Sequence, residues 1–250
     1  MEYVDINQTI NAKGLRLVCV QGMPSAWGVA VKAMMDYKGL EFTLGPQKPM
    51  ADNPELLAWS GTNSGPVVAW NDEQPINRWN DILILLERLA PEKPLVPRDP
   101  AQRIQLFGIA HEICGEVGFG WNRRLDLVRP ADDAKGPSDF GVKYGYNDAD
   151  GKLANPRVIE FMKELAKTLK AQKAAGSEYI IGESITAADF YWAAFSNFVV
   201  LQSPEDILLD ASVRPMFENT PADVKAAVDP ILLEHRDRMM RTYFTHPLEL

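Results

Sequence analysis

Hydrophobic and polar positions follow two different regimes along the chain. In the first ninety residues, short apolar runs alternate with turn residues and helical stripes. LRLVCV (15–20) is a short apolar run rich in β-branched residues and predicts a buried strand. Gly22 and Pro24 break it, and Ser25 is a good N-cap for a helix. Val29, Ala33, Met34 and Tyr37 then recur at helical spacing until Gly39 supplies a stop. A second strand is predicted over 41–45 and a short helix over 52–59, with an Asp/Asn cap and a proline in its first turn. A third strand is predicted over 65–70. After turn material at 71–74 comes a helix over 77–91, capped by Asn77, with Ile82, Leu85, Leu86 and Leu89 as its stripe.

The second regime begins after PEKPLVPRDP (91–100), where four prolines mark a linker. Beyond it the pattern is helical. One long helix is predicted over 100–128, with the stripe Ile104, Phe107, His111, Cys114, Gly118 and Trp121 and with Gly115 and Gly118 for close approach. Others are predicted over 155–176, over the nearly all-apolar 184–202, and over 221–244 with an interruption near Pro230. The polar, Gly- and Asp-rich stretch 129–153, which carries Tyr144 and Tyr146, predicts a long loop. The expected organisation is an α/β domain (1–91), a linker (92–100) and an all-α domain (101–250), without internal repeats.

Charge and chemistry narrow the function. The chain has 250 residues and a net charge of −8, and no compact Lys/Arg run, which argues against a nucleic-acid partner. Its two cysteines, Cys19 and Cys114, sit far apart in apolar segments and predict buried thiols, not a disulfide. The three histidines, His111, His235 and His246, show no ligand spacing, so no metal is expected. The N-terminal stretch has no basic n-region, and the longest charge-free run, 17–31, is too short to span a bilayer. The expected location is the cytoplasm, with no membrane partner.

Three stretches carry a family resemblance: QGMPSAWGVAVKAMMDYKGL (21–40), NPELLAWSGTNSGPVVAW (53–70) and YIIGESITAADFYWAA (179–194). In the last, Thr186 and Asp189 are spaced as a capping box, with Ile185 as its staple residue. Together they resemble the cytosolic glutathione transferase superfamily, over nearly the whole chain. The resemblance implies a thioredoxin-like α/β N-terminal domain and an all-α C-terminal domain. It places Ser25 where serine-type members hold the catalytic hydroxyl, and Gly28 where cysteine-type members hold their cysteine. It makes Pro66, after Gly65, the characteristic cis-proline whose preceding residue pairs with the cysteinyl part of glutathione.

One departure stands out. Where most members carry Glu/Gln-Ser at the start of the next helix, this chain has Arg78 and Trp79. The acid that pairs with the α-amine of glutathione has become basic, and the small hydroxyl has become an indole. The helix N-terminus and Arg78 still suit a carboxylate. The implied activity is that of an enzyme that activates the thiol of glutathione, its co-substrate, with Ser25 for attack on a small apolar electrophile. Glutathione binding falls to Gly65, Pro66, Arg78, Trp79 and Trp27, with Trp27 equally readable as core. The acceptor side falls to His111, Cys114 and Trp121, which equally read as a packing stripe. A homodimer is the family expectation. The alternative is a non-catalytic binding or regulatory module on the same fold, and for Ser25 itself a plain helix cap. A thiol–disulfide oxidoreductase is the weakest reading, because neither cysteine stands at the redox corner.

Overall fold

A computed structural model of the chain describes residues 2–129 and 136–250. They divide into two compact units: 1–97 with 202–214 and 238–250, and 98–201 with 215–237. The return of two later segments to the first unit is a feature that the contiguous division expected from the linker does not contain.

The first unit is built on a three-stranded sheet of order β2-β1-β3: β1 Leu15–Val20, β2 Phe42–Gln47 and β3 Val67–Trp70. β1 runs parallel to β2, in register from Leu15 opposite Phe42 to Val20 opposite Gln47, and antiparallel to β3, with Val18 opposite Val67. β2 continues past the predicted 41–45 through Pro46; an edge strand tolerates a residue with no N–H to donate.

Sequence periodicity does not reveal α1 (Ile6–Asn11). Its signal is a capping box: the Asp5 carboxylate accepts from the Asn7 N–H at 2.9 Å and the Gln8 side chain accepts from the Asp5 N–H at 3.2 Å. Thr9 of α1 is fully buried over β2. A Cβ on Gly45 would lie 2.5 Å from Thr9 Oγ1 and 2.9 Å from its Cβ. Gly45→Ala therefore overpacks a closed contact. The expected loss is about 1–3 kcal/mol in denaturant unfolding, and an unchanged midpoint would mean that α1 shifts freely.

α2 (Ala26–Lys38) ends at Gly39, whose φ of 71° supplies the left-handed cap. Lys38 has a structural task. Its buried ammonium bonds Ala90 O at 2.9 Å, Lys93 O at 2.8 Å and Glu87 Oε1 at 2.7 Å. Glu87 in turn accepts the N–H groups of Leu95 and Val96. The end of α2 thereby fastens the proline-rich segment. α3 (Pro54–Ser60) follows Asn53, which takes a left-handed φ of 48° and directs its side chain to Lys48 and Ala51 instead of capping. α4 is Trp79–Leu89, and its N-cap is Arg78, not Asn77.

The described residues of the second unit form helices joined by turns and loops, with no strand among them. The predicted helix over 100–128 is two helices, α5 (Pro100–Cys114) and α6 (Phe119–Leu127). Gly115 and Gly118 serve the break and not helix packing: a Cβ on Gly118 would meet Glu112 O at 2.6 Å, and one on Gly115 the His111 ring at 2.7 Å. Val117 between them has φ 68°, a strained value for a β-branched residue. The predicted loop over 129–153 is largely helix where it is described, with α7 (Asp139–Lys143) capped by Ser138 and α8 (Asp148–Ala174) capped by Asn147. Positions 130–135 of that expected loop lie outside the described residues. Tyr144 stacks edge-on against Phe140 and lies under the Arg124 guanidinium, 4.2 Å from the ring centre.

α9 (Ala187–Phe195) is buried along its whole length and runs into a 3-10 turn, Ser196–Phe198. Thr186 and Asp189 close the predicted capping box, and Ile185 is buried beside it. Short helices α10 (Arg214–Glu218) and α11 (Ala222–Ala226) precede α12 (Pro230–Tyr243), which begins at the expected interruption. Among the described residues no helix is long and apolar enough to cross a membrane.

Candidate functional site

Strand register brings the predicted glutathione-site residues to one end of the sheet. β1 ends at Val20, and the turn after it delivers Ser25 to the start of α2. β3 begins opposite Val18, so Gly65 and Pro66 lie against the same end of β1. The Gly65–Pro66 peptide is cis. A Cβ on Gly65 would stand 3.2 Å from Val18 O and 3.3 Å from Val20 N, so glycine is what allows this close approach. Ile76 then pairs back onto Val68 through two hydrogen bonds of 2.8 Å. Two residues on, Arg78 stands at the N-cap of α4.

Ser25 occupies the N-cap position of α2, yet its hydroxyl makes no cap hydrogen bond. The helix is closed by backbone alone: Ser25 O accepts from Val29 N at 3.0 Å, and Ser25 N donates to Met23 O at 2.7 Å. The half-buried hydroxyl is left at the positive end of a thirteen-residue helix. Ser25 lines a groove that also takes in Tyr3, Cys19, Gly28 and Lys32, with Phe244 and Leu248 of the returning segment at its edge. Leu248 is fixed there by backbone bonds to Asp206 and Leu208. Trp27, next to the cap, is half-buried, as is Trp79 at the start of α4. Arg78 is exposed and makes no cap bond.

Neither cysteine is poised for chemistry. Cys19 Sγ lies beneath Gly28, 3.1 Å from where a Cβ would stand. Burial pushes its thiol up to about 12, against a small opposing pull from Lys32. Burial also holds the Cys114 thiol well above its ordinary range. The Tyr3 phenol is raised too, by burial and then by Cys19, so it stays protonated and able to donate. A neutral, buried thiol is a poor nucleophile, which counts against thiol–disulfide chemistry on this chain.

The acceptor-side residues lie on two helices and differ in burial. Cys114 is buried in α5, His111 is exposed one turn earlier, and Trp121 belongs to α6 beyond the break, beside Arg124. His111 instead lines a cavity of about 420 Å³ between the α5–α6 break and α8, within the helical unit. Cys114 and Trp121 do not line it. Sequence periodicity misses this cavity, because it treats 100–128 as one continuous helix.

No protein-family model matches the sequence, and no curated protein does. Solved structures do match. A glutathione S-transferase of Methylobacterium radiotolerans, in complex with glutathione sulfonate, aligns at 18% identity and TM-score 0.62 over 94% of this chain and 97% of that one. A glutathione S-transferase of Methylobacillus flagellatus with glutathione bound aligns at 14% identity and TM-score 0.65, over 94% and 100%. The nitrogen regulation fragment of the yeast prion protein Ure2p aligns at 14% identity and TM-score 0.62, over 92% of each chain. With a cis-proline at the head of β3, a helix opening at Ser25 and a helical second unit, this chain has the glutathione transferase fold.

Proposed function

We propose that the chain is a glutathione transferase-like enzyme that holds glutathione on its α/β unit and activates the thiol with Ser25. The observation that carries this reading is the uncommitted Ser25 hydroxyl at the N-terminus of α2. A free thiol with a pKa of about 8.5 is only a few per cent thiolate at neutral pH. A hydroxyl that donates to sulfur favours the charged form, and so does the helix end beside it. Lowering the pKa by about two units takes roughly 2.7 kcal/mol, within reach of one charge-assisted bond and a dipole. Ser25 stabilises the anion and is not itself the nucleophile. The thiol proton leaves to solvent, and the thiolate sulfur adds to an electron-poor carbon of a small apolar electrophile, whose π bond opens and takes up a proton from solvent. Gly65 and Pro66 offer backbone groups to the cysteinyl part, while the open N–H groups at the start of α4, beside Trp79, take a carboxylate and Arg78 faces the α-amine.

Arg78 favours a second reading. A guanidinium where an acid would meet the α-amine suits a binding or regulatory module that keeps the fold without transferase activity. The nitrogen regulation fragment of Ure2p has this fold too.

Glutathione calorimetry on the wild type and on Arg78→Glu tests the site. Micromolar to low-millimolar binding is expected, tightened roughly five- to tenfold in the variant as repulsion of the amine becomes attraction. No binding to either protein would remove glutathione. Equal binding to both would take Arg78 out of the site.

A further inference from the structure

We infer that the cavity of the helical unit, between the α5–α6 break and α8, binds a linear aliphatic polyamine. Its volume of about 420 Å³ falls within the usual range for small-molecule sites. Two helix faces set its charge. Arg157, Glu160, Phe161 and Glu164 follow the i, i+3, i+4, i+7 spacing of one face of α8, and Glu112 and Glu116 flank the break opposite. Four carboxylates face one guanidinium, a net charge of −3 with His111 neutral. Arg157 leans toward Asp150 at 3.8 Å, and Glu164 shares Lys167 at 3.3 Å. Glu160 and Glu164 are a like-charge pair four residues apart on α8, which a cation between them would relieve.

An independent feature lies in the cavity wall. Asn122 is only 1% exposed and lines the cavity. Its Nδ2 donates to Val117 O and, at 2.8 Å, to Gly118 O. Those two carbonyls fix the amide orientation, since they need a donor. Asn122 Oδ1 is left as a buried acceptor with no protein partner. Such an acceptor costs free energy until a donor reaches it. The cavity therefore presents negative charge, with an unmet acceptor buried in its wall, and both call for a ligand that brings donors and positive charge.

Size and spacing choose between cations. Among the described residues no group of three or more His, Cys, Asp or Glu is placed to hold a metal ion. The carboxylates are spread over the end of α5, the break after it and α8, which suits separated ammonium groups. Phe119 and Phe161 form apolar walls, their rings 5.7 Å apart. They suit the methylene segments of such a ligand.

The test is calorimetric titration of the full chain with spermidine, beside magnesium chloride of equal ionic strength. Saturable one-to-one binding is expected, weakened at least about tenfold by Glu116→Gln with Glu160→Gln and unaffected by Glu41→Gln with Glu55→Gln. All four positions are exposed, so the variants should keep the wild-type melting temperature, and that measurement confirms it. Absence of saturable binding, equal weakening by both pairs, or equal stabilisation by magnesium would each overturn the inference. So would a fall in oligomeric mass in the Glu116/Glu160 variant, which would assign the cavity to a basic group of a second copy.

Discussion

Ser25→Ala is expected to raise the apparent thiol pKa of bound glutathione from about 6.5 to about 8, the α2 helix end keeping the rest of the shift, and to slow conjugation roughly eightfold at pH 7. The factor follows from the thiolate fraction, which falls from about three quarters to about 9% at that pH. The sign of the pH dependence is fixed by the same shift. A group with a lowered pKa is active above that pKa, so the deficit of the variant shrinks as pH rises and closes above about pH 9. Stability should hardly change. The Ser25 hydroxyl makes no cap bond, and the backbone bonds from Val29 N and to Met23 O remain available to alanine. A melting shift equivalent to less than about 0.5 kcal/mol is therefore expected. Ultraviolet titration of the bound thiolate reads the pKa directly, and Ser25→Thr, which keeps a hydroxyl, should restore part of it. An unchanged pKa with a clear loss of stability would make Ser25 a helix cap and leave the fold without its proposed chemistry.

The frame of the first unit is legible in the sequence because its signals are local. LRLVCV is β1 to the residue, and Gly39 ends α2 as its position suggests. The capping box of α9 is likewise readable from a short stretch, and the cis Gly65–Pro66 peptide is as the family resemblance implies. The misses have physical causes. The hydrophobic stripe over 100–128 continues across a break that depends on Gly115, Gly118 and the left-handed Val117, and periodicity does not register a φ angle. Ile104, placed on that stripe, is 75% exposed, while Leu106 and Ala110 are buried. The start of α8 is hidden by its polarity: Asn147, Asp148 and Asp150 read as loop residues but cap a helix. The α1 box, Asp5 and Gln8, is present in the sequence, but the helix it opens is too short to show a hydrophobic stripe. At the candidate site, sequence places Ser25, Gly65, Pro66 and Arg78 but does not show that the Ser25 hydroxyl is uncommitted, since good caps usually use it. Asn122 carries no signal at all, because a buried, half-satisfied amide is defined only by its neighbours.

Asp189→Asn is expected to destabilise the helical unit nearly as much as Asp189→Ala, by about 3–5 kcal/mol, or roughly 8–15 °C in melting temperature. The carboxylate is fully buried and accepts four hydrogen bonds. Oδ2 takes the Thr186 N–H at 2.8 Å and its hydroxyl at 2.9 Å; Oδ1 takes the Ile180 N–H at 2.9 Å and meets His235 Nε2 at 2.9 Å. One side chain thus joins the loop before α9, the first turn of α9 and the body of α12. Asparagine has nearly the same shape but must point its amide hydrogens at one of the two oxygen positions. Either way they face a backbone N–H that cannot accept, so isosteric replacement turns a bond into a donor–donor contact. His235→Leu removes one of the four bonds and fills the space with apolar atoms, so its cost should be smaller, about 1–2 kcal/mol. The ordering is the diagnostic part. If Asp189→Asn lies within about 1 kcal/mol of wild type, the acceptor pattern is not what holds these segments together. If His235→Leu matches Asp189→Ala, the stabilising element is the pairing with α12 and not the closure of the α9 cap.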